Sequence, residues 1–164
     1  MRNTESGEAM FERFARSARA AVEDARHEAE RRGDRRIGTE PLLLALLRDD
    51  ALAEIVGVDL ATARATADRL DRIALSAIGF DLGDFEPSGS APLGRHVALM
   101  TAGAKSVIQR SLAMAAFERS RTITSRHLVL ALLDRKEPDP AAALFAALPV
   151  DPATVRERLS TQGA

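Results

Sequence analysis

Apolar residues recur at spacings of three and four from Met10 onward: Phe11, Phe14, Ala18, Val22, Ala25 and Ala29, with charged residues between them. That period predicts an amphipathic helix with one face toward a core. Gly33 and Asp34 supply its stop signal. A second helix is expected at once, where Ile37-Gly38-Thr39-Glu40-Pro41 leads into Leu42-Leu43-Leu44-Ala45-Leu46-Leu47. Thr39 reads as its N-cap. Glu40 and Pro41 then fall in the first turn, where an acid suits the helix dipole and Pro costs little. The Leu run is too apolar for a surface helix, so it is expected inside. A short helix over 51–56, a turn at Gly57-Val58-Asp59-Leu60 capped by Asp59, and a helix through about Ile78 complete the unit. Gly83, Pro87, Gly89, Pro92 and Gly94 then mark residues 80–95 as a linker.

After the linker the pattern starts again. At an offset of 86, Phe14 falls on Met100, Ala18 on Ala104, Val22 on Ile108, Ala29 on Ala115, and Ile37 on Ile123. The Leu run falls on Leu128-Val129-Leu130-Ala131-Leu132-Leu133, and Thr39 on Ser125, which reads as the matching cap. Six extra residues around Glu137–Pro140 change the offset to 92, after which Val58-Asp59 falls on Val150-Asp151. The expected fold is all-α: eight helices in two four-helix repeats about a pseudo-twofold axis, with the Leu helices buried together. Residues 1–9 read as a polar tail, 10–79 as the first repeat, 80–95 as the linker, 96–159 as the second repeat and 160–164 as a tail. The start and the polar ending Ser160-Thr161-Gln162-Gly163-Ala164 are those expected of a complete chain.

Composition fits this picture and narrows the chemistry. Of 164 residues, 46% are hydrophobic, mostly Ala and Leu, with six Phe and no Trp or Tyr, which favours helix. The net charge of −1 gives no electrostatic case for nucleic acid. The absence of cysteine excludes disulfides, thiolate metal sites and cysteine nucleophiles. No apolar run approaches the roughly 20 residues needed to span a bilayer, and the N-terminus lacks a signal peptide's apolar stretch. A cytoplasmic protein is expected. Arg far outnumbers Lys, of which Lys105 and Lys136 are the only two, and this suggests a GC-rich genome.

No catalytic constellation is legible. His27 lies on the polar side of the first helix, His96 in the linker and His127 in a helix first turn, none at metal-ligand or triad spacing. Each reads as a surface or capping His. No phosphate-binding Gly-rich loop ending in Lys, no Gly-x-Ser-x-Gly elbow and no His-Glu-x-x-His occurs. Neither an enzyme, nor a metal site, nor a cofactor is expected. Two local features remain. Glu40 sits at a helix N-terminus, where a carboxylate can take a guanidinium while nearby backbone N–H groups hold an anion. An arginine bearing a phosphate carries both groups. The plain alternative is that Glu40 only complements the helix dipole. The Phe pair in Met10-Phe11-Glu12-Arg13-Phe14 is more simply core than ligand pocket.

Met10-Phe11-Glu12-Arg13-Phe14, Ile37-Gly38-Thr39-Glu40 before the Leu run, and Gly57-Val58-Asp59 together resemble the N-terminal domain of Clp ATPases, closest to the ClpC type. The resemblance covers nearly all of residues 10–159. It implies a non-catalytic module that docks substrates, adaptors or Clp-directed peptides for the Clp protease system, here as an adaptor or decoy. The alternatives are a Clp-ring-docking scaffold that reads no mark, or the N-terminal piece of a larger Clp ATPase. ClpC-type relatives bind phosphoarginine in each repeat, which implies a first site of Arg13, Thr39 and Glu40, with Ala15 at the position of a helix-start Thr. It implies a degenerate second site of Thr101, Ser125 and Arg126, where the arginine would repel a guanidinium. Relatives from high-GC Gram-positive bacteria also bind cyclic peptide antibiotics between the repeats. That surface maps to Phe11, Arg13 and Met100.

Overall fold

The computed structural model describes residues 14–79 and 100–162. The tail over 1–9, the stretch from Met10 to Arg13 that holds Phe11, the linker over 80–95, and His96 lie outside the described residues. Eight α-helices are present among the described residues: α1 (Arg16–Arg32), α2 (Thr39–Leu46), α3 (Asp50–Val56), α4 (Leu60–Ala77), α5 (Ala102–Phe117), α6 (Ser125–Leu133), α7 (Pro140–Ala147) and α8 (Pro152–Thr161).

An isolated helix of eight residues is unstable in water. α2 is held by burial instead. Leu42, Leu43, Leu44, Leu46 and the following Leu47 are all within 2% of complete burial, and each such side chain contributes about 1.5–3 kcal/mol. α2 packs on α1 within its own repeat and on α5, α6 and α7 of the other, while α6 likewise packs on α5 and α1. The two Leu helices thus form one shared core.

Short caps start the outer helices. The Asp49 and Asp139 carboxylates accept N–H bonds from the first turns of α3 and α7, and Asp59 and Asp151 do the same for α4 and α8. α1 ends at Gly33, whose left-handed φ of 78° suits a residue without Cβ. Its counterpart Arg119 takes the same turn at φ 57°.

Two expectations about helix starts are corrected. α1 opens at Arg16, not near Met10, and Phe14 lies in an extended segment that makes a parallel bridge with Ile123. Met100 does the same with Ile37, and α5 opens at Ala102. The bridges are reciprocal, because 14 and 100, and 37 and 123, are equivalent positions. The Ala15 N–H donates to the Ile123 carbonyl at 2.9 Å and the Thr101 N–H to the Ile37 carbonyl at 2.9 Å. Thr39 and Ser125 are also not N-caps. Each is the first helical residue, after Gly38 and Thr124. The Thr39 hydroxyl is taken by a buried carboxylate, donating to Asp139 Oδ1 at 2.8 Å. The α6 cap is the Thr124 side chain, paired with His127 in a capping box.

Candidate functional site

The crossed bridges decide what faces Glu40. Ile37 lies beside Met100, so the first turn of α2 meets the start of α5 across the seam between repeats. A surface cleft of about 410 Å³ opens there, lined among others by Arg32, Arg35, Arg36, Glu40, Thr101 and Pro140. Glu40 and Thr101, which the sequence reading divides between two sites, therefore share one cleft. Thr101 caps α5, its Oγ1 accepting the Ala104 N–H at 3.1 Å. Thr39 does not line the cleft. It is 1% exposed and its hydroxyl points into the seam toward Asp139.

Glu40 is not vacant. Its side chain is 8% exposed and forms an ion pair with Arg32, itself 11% exposed. Arg32 closes α1 and reaches two further carboxylates on the cleft wall: Nε lies 3.6 Å from Asp34 Oδ2, and Nη2 bonds Asp71 on α4. Burial raises the Asp34 carboxyl above its ordinary range, partly offset by the Arg32 charge. Arg35 and Arg36 are exposed and form no ion pair among the described residues.

The equivalent pair in the second repeat has its charges exchanged: Glu118 stands for Arg32 and Arg126 for Glu40. Arg126 grips Glu118 with both terminal nitrogens, at 3.0 to 3.1 Å, and its Nε donates to the Leu159 carbonyl at 2.8 Å. His127, 2% exposed, accepts the Thr124 N–H at Nδ1 at 3.0 Å. Its Nε2 then carries the proton and donates to Glu118 Oε2 at 3.0 Å. These donors, His127 first and Arg126 next, hold the Glu118 carboxyl below its ordinary range. His127 is thus a capping residue but a buried one. His27 is a half-exposed neighbour of Glu30.

Seam contacts differ in the same way. Thr39, Asp139 and Gly103 close one side. The Asp139 carboxylate also takes Arg135 Nε at 3.0 Å and the Ala141 N–H at 2.9 Å. A Cβ on Gly103 would lie 3.1 Å from Asp139 Oδ2, a tight contact that would push the carboxylate back by a few tenths of an ångström. The equivalents Ser125 and Ser17, with Asp49, which caps the matching helix α3, instead line an open cleft of about 270 Å³. Met100 is partly buried against the core, while Phe11 and Arg13 lie outside the described residues.

The sequence reading missed the 32–40 and 118–126 pairs. The signal was present: applied to charged positions, the offset of 86 sets opposite charges on several equivalent residues, Arg32 against Glu118 and Glu40 against Arg126 among them. Asp139 lies in the six-residue insertion, where no offset holds.

Residues 99–163 match the family model for the Clp repeat (R) N-terminal domain. No curated protein matches the chain by sequence. Among solved structures, the N-terminal domain of the caseinolytic-protease-associated chaperone ClpD from Arabidopsis thaliana superposes with a TM-score of 0.70 at 19% identity, over 94% of this chain and 99% of that one. The Hsp104 N-terminal domain from Candida albicans gives 0.64 at 15% identity, over 92% and 91%. A structure from a malarial protein secretion system gives 0.65 at 17% identity, over 92% and 94%. The chain has the all-α fold of the Clp N-terminal domain, and its second repeat is the part that matches the Clp repeat model.

Proposed function

We propose that this chain is a non-catalytic protein-binding module of the Clp protease system, acting as an adaptor or decoy that takes substrates, adaptors or Clp-directed peptides. The Clp N-terminal domain is the protein-interaction module of Clp and Hsp100 ATPases. The observation that carries the finer reading is the meeting of Glu40 and Thr101 in one seam cleft. A buried carboxylate there suits a guanidinium. The start of α5, with Arg35 and Arg36 on the same cleft, suits a phosphate attached to it. Phosphoarginine is the mark with both groups. The working unit is one double-repeat domain, with repeats over 10–79 and 96–159 joined by 80–95, placed in the cytoplasm. Phe11, Arg13 and Met100 are the proposed surface for peptides, cyclic peptide antibiotics among them. Arg13 is also proposed to assist at the Glu40 cleft.

Calorimetric titration with phosphoarginine and a phosphoarginine peptide tests this, with Glu40→Ala as control. Saturable heat in the wild type and none in the variant is expected. Equal binding by both would remove phosphoarginine from the reading. A second reading, a scaffold that docks on the Clp ring without reading a mark, draws on the occupied state of both positions: Arg32 already pairs with Glu40, and Glu118 with Arg126. Retention of Clp subunits in a pull-down, without phosphoarginine heat, favours that scaffold.

A further inference from the structure

The Glu40 carboxylate already holds a guanidinium, and it belongs to this chain. Arg32 and Glu40 are both about nine-tenths buried, yet they form one wall of an open cleft. A partner's arginine and Arg32 would compete for the same oxygens. Removing Arg32 outright would leave a buried charge unpaired, which is costly. Arg32, however, has somewhere to go. Its guanidinium already touches Asp34 and Asp71, whose side chains are 43% and 51% exposed and line the same cleft. A small outward swing gives up Glu40 and leaves the guanidinium on the two carboxylates it already touches. The second repeat has no such exit. Arg126 is tied to Glu118 by three contacts and to the Leu159 carbonyl by a fourth, and Glu118 is tied again by His127.

We propose that Arg32 is an internal occupant of the guanidinium position, and that the seam cleft admits an arginine-type side chain of a partner protein only as Arg32 releases Glu40 and is held by Asp34 and Asp71 alone. This rests on the reading of Glu40 as a guanidinium acceptor. Arg32 is a gating residue: it sets how tightly a ligand binds and makes no contact with it. The carboxylates at 34 and 71 set how readily the gate opens. A ligand with an anion beyond its guanidinium gains from Arg35, Arg36 and the start of α5, and so displaces Arg32 more effectively than plain arginine.

The test is calorimetric titration of the whole chain with phosphoarginine as probe. Arg32→Gln keeps an amide donor toward Glu40 while removing the competing charge. It is expected to bind on the order of ten-fold more tightly than wild type, the equivalent of one charged hydrogen bond. The double variant Arg32→Gln/Glu40→Gln should lose that gain. Asp71→Asn, a change at a half-exposed position that should leave folding intact, removes one outer carboxylate and is expected to weaken binding several-fold. Circular dichroism confirms that each variant folds, and Asp71→Asn decides the matter alone if Arg32→Gln does not. Wild-type binding that depends on Glu40 but is unchanged by Arg32→Gln and Asp71→Asn would overturn the gate and leave the acceptor reading standing. No heat from the wild type or either Arg32 variant would overturn both.

Discussion

The first repeat buries a glutamate on its long first helix, at a position where the second repeat has a methionine. Glu28 on α1 is 1% exposed and held by Arg31 and by Arg64 of α4, with Nε of each 3.3 Å from Oε2. Its equivalent on α5 is Met114, and the equivalent of Arg64 is Arg156, which instead reaches the half-buried Asp134 at 2.9 Å. At the next pair of positions both repeats keep an ion pair but with opposite orientation, Arg32 to Glu40 and Glu118 to Arg126. The difference teaches where duplication is constrained. Helix starts, the Leu runs and the crossed bridges agree in both copies because the fold needs them twice. Polar pairs at the seam need only to be internally satisfied, so each copy has found its own solution. One solution leaves a cleft with a replaceable occupant and the other does not.

Three measurements break or sharpen this contrast. The largest effect is expected from Arg64→Ala, which leaves the Glu28 carboxylate buried with only the half-exposed Arg31. The loss should be about 3 kcal/mol in urea denaturation, near the lower end for breaking a buried pair. Arg156→Ala, at the equivalent site, should cost no more than about 1 kcal/mol, as for an exposed pair. Equal losses would mean that the two outer helices are held in the same way after all. Next is the seam. Asp139→Ala removes a cap and the partner of Thr39 and Arg135, for an expected loss of about 2–3 kcal/mol. Asp49→Ala removes a cap alone, about 1 kcal/mol. The double-mutant cycle of Asp139 with Thr39 should show coupling.

The smallest effect depends on pH. Glu118 has a lowered folded pKa, so its contribution is present above the ordinary glutamate range. That contribution is lost as pH falls through the folded value. Wild-type stability should therefore decline on acidification below about pH 5, since an unperturbed glutamate titrates near 4.3. Glu118→Gln should be less stable at neutral pH and show a shallower decline. Asp34 works in the opposite sense, because burial raises its folded pKa and protonation then favours the folded state. A decline equally steep in Glu118→Gln would place the acid sensitivity elsewhere.

Much of the fold was legible because it rests on local signals. The Leu runs, the Gly33 stop and the Asp59 cap all lie within one helix of what they control. The crossed bridges were not legible, since Phe14 and Ile123 pair across 109 positions of sequence. Without them Glu40 was grouped with Ala15 in its own repeat, and not with Thr101. The N-cap of α2 was misplaced by one residue for a related reason. Thr39 has the right chemistry for a cap, but its hydroxyl is drawn to Asp139, a residue 100 positions away in the insertion. Of the candidate site, the residue types at 40, 101 and 126 could be listed in advance. Their partners at 32 and 118 needed the turns after α1 and α5, each of which folds residues eight apart back onto one another.

The reciprocal bridges have a consequence for what half of this chain could do. Each repeat offers an extended residue before its first helix and a receptive one before its Leu helix, and satisfies neither alone. A single repeat could fill both only against a second copy of itself, in an isologous pair. A half-chain expressed alone is therefore expected to dimerise, with both bridges made between copies.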